Sequence, residues 1–456
     1  MKKNLLLTLT LAMGILFSGN VFAQTWDDVI AEDKGDTVVV KGVKATQGTI
    51  NTLWIAVKGD TLADGSRTNP NRVYETIPDE VYLTDGTLEL DATVPNLVIT
   101  APPIDRSGDV MPPLHIKQVQ VDGSFDKTFF QVNGNSRLEN QYVLLALTNN
   151  TLDREVQRNL VAETRTEWYG CIFEFTTWSL CFPSARNQTY KFEDCLFINI
   201  GNEPTIEKGL PFDSWNMVDT LWYENCTFLN AGGVAVGRTP NHNAPNFFYF
   251  NHNTVVNTTL LPFSFANQAE MIVANNVLVN AGMIPTYPGF YPFWEDEDLL
   301  PRGIINVDTV ERAWIVDNWT EKGYPYMKAD STADESMRKA LVVNNNAWWD
   351  PAIVPLQESG MPAFPDTIQE EWQTQMMTMN SRTQAWFDND EEYPYYYEAG
   401  WHNVDPGFAN NEDLMDEWVD FIVSNGTPGA PGGGDKMPWW RTNQTTNIYT
   451  PDWPPL

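Results

Sequence analysis

Glu224 to Gly232 reads ENCTFLNAG, and Ala274 to Gly282 reads ANNVLVNAG. The two phrases belong to a series. Aligned on the position of Cys226, the chain also has GCIFEF from Gly170, DCLFINIG from Asp194, HNTVVNTT from His252 and NNAWWD from Asn345. Each unit is a polar pair followed by alternation and, in most, an Asn. The second members of the pairs are Cys171, Cys195, Cys226, Asn253, Asn276 and Asn346, so the steps are 24, 31, 27, 23 and 70 residues. Four of the five fall in the range typical of solenoid repeats. The last holds a long excursion or further rungs that do not align.

Within a unit the side chains alternate with the period of a strand, Trp222, Glu224, Cys226 and Phe228 against Tyr223, Asn225 and Thr227. One short strand per repeat, with no helix between, cannot bury its apolar side alone, whereas a stack of such strands can. Parallel stacking at about 4.8 Å per rung sets the same position of every unit in one column. An Asn column then satisfies itself, because each amide donates to one neighbour and accepts from the other. The pattern predicts an all-β parallel solenoid in which the six aligned positions are equivalent.

These rungs resemble those of secreted right-handed parallel β-helix proteins, the superfamily that includes pectate lyases. Asn251–Asn257 (NHNTVVN) and Asn275–Gly282 (NNVLVNAG) carry the resemblance, which spans roughly residues 90 to 410. The segment Gly59–Gly86 (GDTLADGSRTNPNRVYETIPDEVYLTDG) is similar to the opening segment of β-helix proteins exported by Bacteroidetes-type bacteria. Asn403–Phe408 (NVDPGF) resembles the Asp-Pro-x-Phe turn that often follows their last rungs. The resemblance implies a right-handed, single-stranded parallel β-helix with an N-terminal cap and helical C-terminal additions. It specifies fold far more than chemistry, since the superfamily includes lyases, hydrolases, epimerases and adhesins.

The organisation expected is a signal peptide over 1–23, a cap with entry strands over 24–90, the β-helix with long lateral loops over 91–410, and a C-terminal helix, Gly/Pro linker and tail over 411–456. Lys2 and Lys3 precede an apolar run ending in Val21-Phe22-Ala23, the form of a cleavable secretory signal. The product is expected in the periplasm, at the cell surface or outside the cell, with no membrane insertion. Residues 36–42 (DTVVVKG) and 52–59 (TLWIAVKG) read as cap strands, and Gly86–Pro103 as the first full rung. Helical spacing runs from Asp366 to Phe387 and again from Asn411 to Asn425.

The 456 residues carry 60 Asp and Glu against 28 Lys and Arg, a net charge of −32, which repels nucleic acid and anionic membranes. Three of the four cysteines share the repeat column, which favours an internal ladder of thiols packed as small hydrophobes over disulfides. Among the 4 histidines, His252 stands where Asn225 stands in its own unit and reads as a turn hydrogen bonder. Arg238-Thr239-Pro240 matches the first half of the Arg-x-Pro-x-x-Arg motif of pectate lyases, with Asn243 in place of the second arginine. That resemblance makes Arg238 and His242 the candidate catalytic residues of a Ca²⁺-assisted polysaccharide lyase. Such a site would need Arg238 beside Lys208 or Arg302 and two carboxylates, a constellation expected to be missing. Ca²⁺ is the one cofactor implied, with Asp296, Asp298, Asp388 and Asp390 as candidate ligands, although neither acidic cluster has calcium-loop spacing.

Aromatic residues make up 12% of the chain, with 18 Trp, and they crowd into residues 286–298 and 390–403. Tyr287, Tyr291, Trp294, Tyr396 and Trp401 are therefore the candidate glycan-binding residues, since exposed rings suit sugar faces or protein partners. The functional expectation is an exported, non-catalytic surface protein that binds a polysaccharide or cell-surface glycan, or associates with itself. The alternative is the lyase or another carbohydrate-active enzyme.

Overall fold

A computed structural model describes residues 25–405 apart from 65, 91–95, 105–109, 119–127, 146–154, 177–178, 201–209, 215, 238–244, 259–261, 265–267, 283–302, 308–337, 350–377, 380, 389–395 and 399–400. The chain visits three sheets in turn. The first is twelve-stranded, the second ten-stranded and the third seven-stranded, and each is parallel except for one antiparallel strand at the edge of the first. One coil runs through Arg165–Tyr169 in the first sheet, Ile172–Glu174 in the second and Ser179–Pro183 in the third. The next begins at Thr189–Glu193, directly paired with the strand one turn earlier. This all-β arrangement of successive rungs is that of a parallel β-solenoid.

The corner between the first and second sheets explains why the phrase repeats. Asn140, Gly170, Asp194, Asn225, His252, Asn275 and Asn344 occupy it in successive rungs, with φ between 54° and 61°. The left-handed region is costly for most L-residues and least so for Gly, Asn and Asp. His252, buried in this column, is a turn residue. The left-handed residue also resets the alternation. Leu221 and Tyr223 point inward, Trp222 and Glu224 outward, and beyond Asn225 it is Cys226 and Phe228 that enter the core. A single alternation carried through the turn puts Trp222 on the wrong side.

The next column inward is Cys171, Cys195, Cys226, Asn253, Asn276 and Asn345. Val277 pairs with Asn346, so the aligned position is Asn345, one residue earlier than expected. Asn253 Nδ2 donates to the Tyr223 carbonyl (3.2 Å), Asn276 Nδ2 to Phe250 (3.0 Å) and Asn345 Nδ2 to Val273 (2.8 Å). The Cys226 thiol makes the corresponding bond to Phe192 (3.5 Å), and Cys195 to Trp168 (3.4 Å). Thiol and amide thus do the same work in one column. All four cysteines are free and buried, and burial pushes the Cys171, Cys181 and Cys195 thiols well above their ordinary range. A second amide ladder follows the second sheet, where Asn280 donates to Asn257 (2.9 Å), Asn257 to Asn230 (3.1 Å) and Asn230 to Asn199 (3.3 Å).

Between these columns the interior is aromatic. Trp168, Phe192, Tyr223 and Phe250 line the first sheet, and Phe173, Phe197 and Phe228 line the second. Phe197 stacks on Phe228 with centroids 4.8 Å apart. Each such side chain stabilises the fold by roughly 1.5–3 kcal/mol through burial. The second sheet is covered on its outward side as well, since Ile172, Leu196, Leu229, Val256, Val277 and Val279 are all nearly inaccessible.

The 70-residue step is a single excursion on the first two sheets. Ala274 pairs directly with Val343, and Val279 with Trp348, so no rung intervenes there. At the N-terminus Thr37–Val40 is a strand, but residues 52–59 form an α-helix rather than the strand expected. Leu53, Trp54, Ala56 and Val57 are its buried apolar residues, a spacing that suits a helix and not an alternating strand. Trp54 packs on Phe130 (5.4 Å), and Asn51 brackets the helix start through Asp85 (2.5 and 3.0 Å). Asp60, just past the helix, accepts from Arg72 Nε (2.8 Å) and the Tyr74 hydroxyl (3.0 Å) and so ties the cap to the first rung. That rung begins at Val73–Thr76, Val81–Thr84 and Leu88–Leu90, earlier than Gly86. Near the C-terminus a helix spans Ser381–Phe387. Residues 366–377, the second expected helix, the linker, the tail and the signal peptide lie outside the described residues.

If the column works as described, Asn276→Leu removes the acceptor of the Asn253 amides and strands the Phe250 carbonyl. It should cost about 3 kcal/mol in urea unfolding. Cys226→Asn, which extends the amide ladder by one rung, should leave the midpoint unchanged or raise it.

Candidate functional site

Most of the residues singled out in the sequence lie outside the described residues, namely Arg238, His242, Tyr287, Tyr291, Trp294, Asp296, Asp298 and Asp390, as do Lys208 and Arg302. Their flanking strands fix where each segment attaches. Residues 201–209 join the second sheet to the third, and 283–302 follow the second-sheet strand Val277–Val279. Residues 238–244, with Arg238 and His242, join the third sheet to the first.

Three candidates are described. Asp388 is exposed at the end of Ser381–Phe387, accepting from Gln384 Nε2 (2.9 Å) while its own N–H donates to the Gln384 carbonyl (2.9 Å). Tyr396 pairs with Ala340, in the register column of Phe248 and Met271. Trp401 pairs with Asn345 and is half-buried, packed against the main core. Among the described residues no three His, Cys, Asp or Glu side chains converge as metal ligands.

What the described residues do assemble lies on the outward surface of the first sheet. Register stacks Arg137, Glu167, Lys191, Trp222 and Tyr249 in one column. Beside it run Glu139, Tyr169, Glu193, Glu224 and Asn251. The Arg137 guanidinium lies 4.8 Å from the Tyr169 ring centre, and Lys191 Nζ lies 5.3 Å from Tyr169 and 5.7 Å from Trp222. Trp222 stacks on Tyr249 at 3.7 Å and 19°. Cation and ring therefore alternate along the rungs, each contact contributing about 0.5–1 kcal/mol at this exposure. Because the rings stack along the solenoid axis, their edges rather than their faces turn outward.

Carboxylates flank the column. Arg137 Nε donates to Glu139 (2.6 Å), Arg165 to Glu167 (2.7 Å) and Lys191 to Glu193 (2.9 Å). Trp222 Nε1 donates to Glu224 (3.1 Å). Burial is the largest single influence on Lys191 and opposes its charge, but the Glu193 hydrogen bond together with the charges of Glu193 and Glu224 and the Tyr169 hydroxyl outweighs it and holds the ammonium above its ordinary value. Glu224 is raised, first by burial and then by the neighbouring Glu193. Further along, Phe247, Tyr249, Ile272 and Ala274 point outward yet are only 8, 3, 1 and 1% exposed. The surface is thus polar and partly open as far as Trp222 and mostly apolar and covered over the next two strands, beyond which Lys339 is partly open and paired with Glu270 (3.4 Å). Donors, acceptors and ring edges in a regular row can bind hydroxyl groups. Nothing within one rung marks this column, which exists only once register is known.

No family model matches the chain, and no curated protein is similar to it at a significant level.

One titratable group that the sequence did not single out sits in the core. His115 is 1% exposed, stacked on Tyr82 (5.1 Å), with Nε2 donating to Gln141 Oε1 (2.7 Å). Burial lowers its pKa from 6.5 to about 4, against the smaller opposing effect of Gln141. Above pH 6.5 the ring is neutral folded and unfolded. Between 6.5 and about 4 the unfolded chain takes up a proton that the fold refuses, so stability is lost across that window, by about 3 kcal/mol in all. His115→Gln should flatten that part of a pH series of urea midpoints.

Proposed function

We propose that the chain is an exported, non-catalytic protein, coiled as the right-handed single-stranded parallel β-helix its rungs resemble, that binds a glycan. The ligand lies along the outward surface of the first sheet, and Tyr287, Tyr291 and Trp294, outside the described residues, are proposed as further glycan-binding residues. The observation that carries this reading is the alternation of cation and ring, Arg137, Tyr169, Lys191 and Trp222, across four successive rungs and two adjacent columns. A polysaccharide is itself a repeat, and it advances per sugar by a length close to the ~4.8 Å between rungs. A linear row of hydrogen-bonding groups and ring edges suits such a ligand better than it suits a compact metabolite.

Binding is favoured over cleavage because the carboxylates on this surface are engaged, Glu193 with Lys191 and Glu224 with Trp222. Glycan binding is favoured over end-to-end self-association because the N-terminal end is closed by the helix over 52–59 and by the antiparallel strand Ile30–Asp33. Export rests on the form of residues 1–23.

A glycan array probed with the purified chain, followed by ultraviolet assay of bound ligands for unsaturated products, tests the reading. Binding without new absorbance is expected. A β-elimination activity that disappears in a folded Arg238→Ala variant would replace it with the lyase.

A further inference from the structure

The same surface also bears on the chemical class of the ligand, an inference that rests on the glycan reading above. Among the described residues its cations are Arg137, Arg165 and Lys191 and, further along, Lys339, and each already has a carboxylate, Glu139, Glu167, Glu193 and Glu270 respectively. Glu167 accepts from the Tyr169 hydroxyl as well (3.2 Å). A further carboxylate, Glu224, has no cation to itself and accepts a hydrogen bond from Trp222 Nε1 instead. Arg137 and Lys191 are further held against the Tyr169 ring. Among the described residues the surface therefore carries no spare positive charge, in a chain whose net charge is −32.

From this balance we infer that the ligand is an uncharged glycan. A uronate or sulfate group would have to displace Glu139 or Glu193 from its partner and come to rest near Glu224. Both steps are unfavourable, the first by breaking a charge-assisted hydrogen bond and the second by like-charge repulsion. Hydroxyl groups need neither. They donate to the outer lone pairs of Glu139, Glu193 and Glu224 and accept from Arg137 and Lys191, leaving the existing pairs in place.

The test is a calorimetric titration with uncharged β-linked glucan, mannan and xylan oligosaccharides, beside oligogalacturonate and dextran sulfate, each at low and high salt. At least one uncharged oligosaccharide should bind, with affinity changed less than twofold by salt, since no net charge is neutralised. Trp222→Ala should weaken that binding tenfold or more, with Trp222→Phe as the control that keeps the stack on Tyr249. Glu193→Gln releases Lys191 and should confer a weak, salt-sensitive affinity for oligogalacturonate that the parent protein lacks. Tight, salt-sensitive binding of oligogalacturonate or dextran sulfate by the parent protein would overturn the inference while leaving glycan binding intact. If no glycan of either kind binds, the functional reading itself falls, and this inference with it.

Discussion

Every rung must turn from the first sheet to the second through one residue in the left-handed region, and the rest of the structure depends on that turn. It fixes which residues can stand there and sets the phase of the strand that follows. It also delivers the next side chain, Cys or Asn, into the core beneath the carbonyl of the preceding coil. A polar group buried at such a corner is stable only if the coil above or below completes its hydrogen bonds. The ladders are therefore a condition of stacking. The exchange of thiol for amide in one column shows that the requirement is for a small donor at a given height.

The fold was legible to the extent that it is written in a single column. Asn225 and Asn275 recur because the turn needs them, and Cys195, Cys226, Asn253 and Asn276 because the carbonyl of the preceding coil does. The reading slipped at Asn344-Asn345-Asn346, where three consecutive amides give the sequence no way to choose between neighbouring positions; hydrogen bonding and register choose Asn345. It slipped again at residues 52–59, where β-branched and aromatic residues suggest a strand although the buried positions have helical spacing. Tertiary context decided there, because the open end of a solenoid needs an apolar lid wider than a single strand.

The candidate site was far less legible. Aromatic crowding in sequence pointed to lateral segments, and the described members of that set, Tyr396 and Trp401, continue the stack itself. The outward column of Arg137, Lys191 and Trp222 is spread over 86 residues of chain, and its members share no motif. Their association is a product of three coil lengths, each different, that bring unlike residues into one line. Composition did carry the sign of the surface. The balance of acids over bases holds locally on this face as it does across the chain, for reasons that neither periodicity nor motif could have supplied.

The lid over 52–59 and the antiparallel strand Ile30–Asp33 give the solenoid a direction. One end is closed by elements that come first in the chain, and each interior coil pairs with the coil before it as fully as with the coil after it. A chain delivered from its N-terminus can therefore build on a finished surface at every step, each coil docking as soon as it is complete. The polarity of the polypeptide and the polarity of the stack coincide, so the architecture suits a chain that becomes available gradually, a few coils at a time.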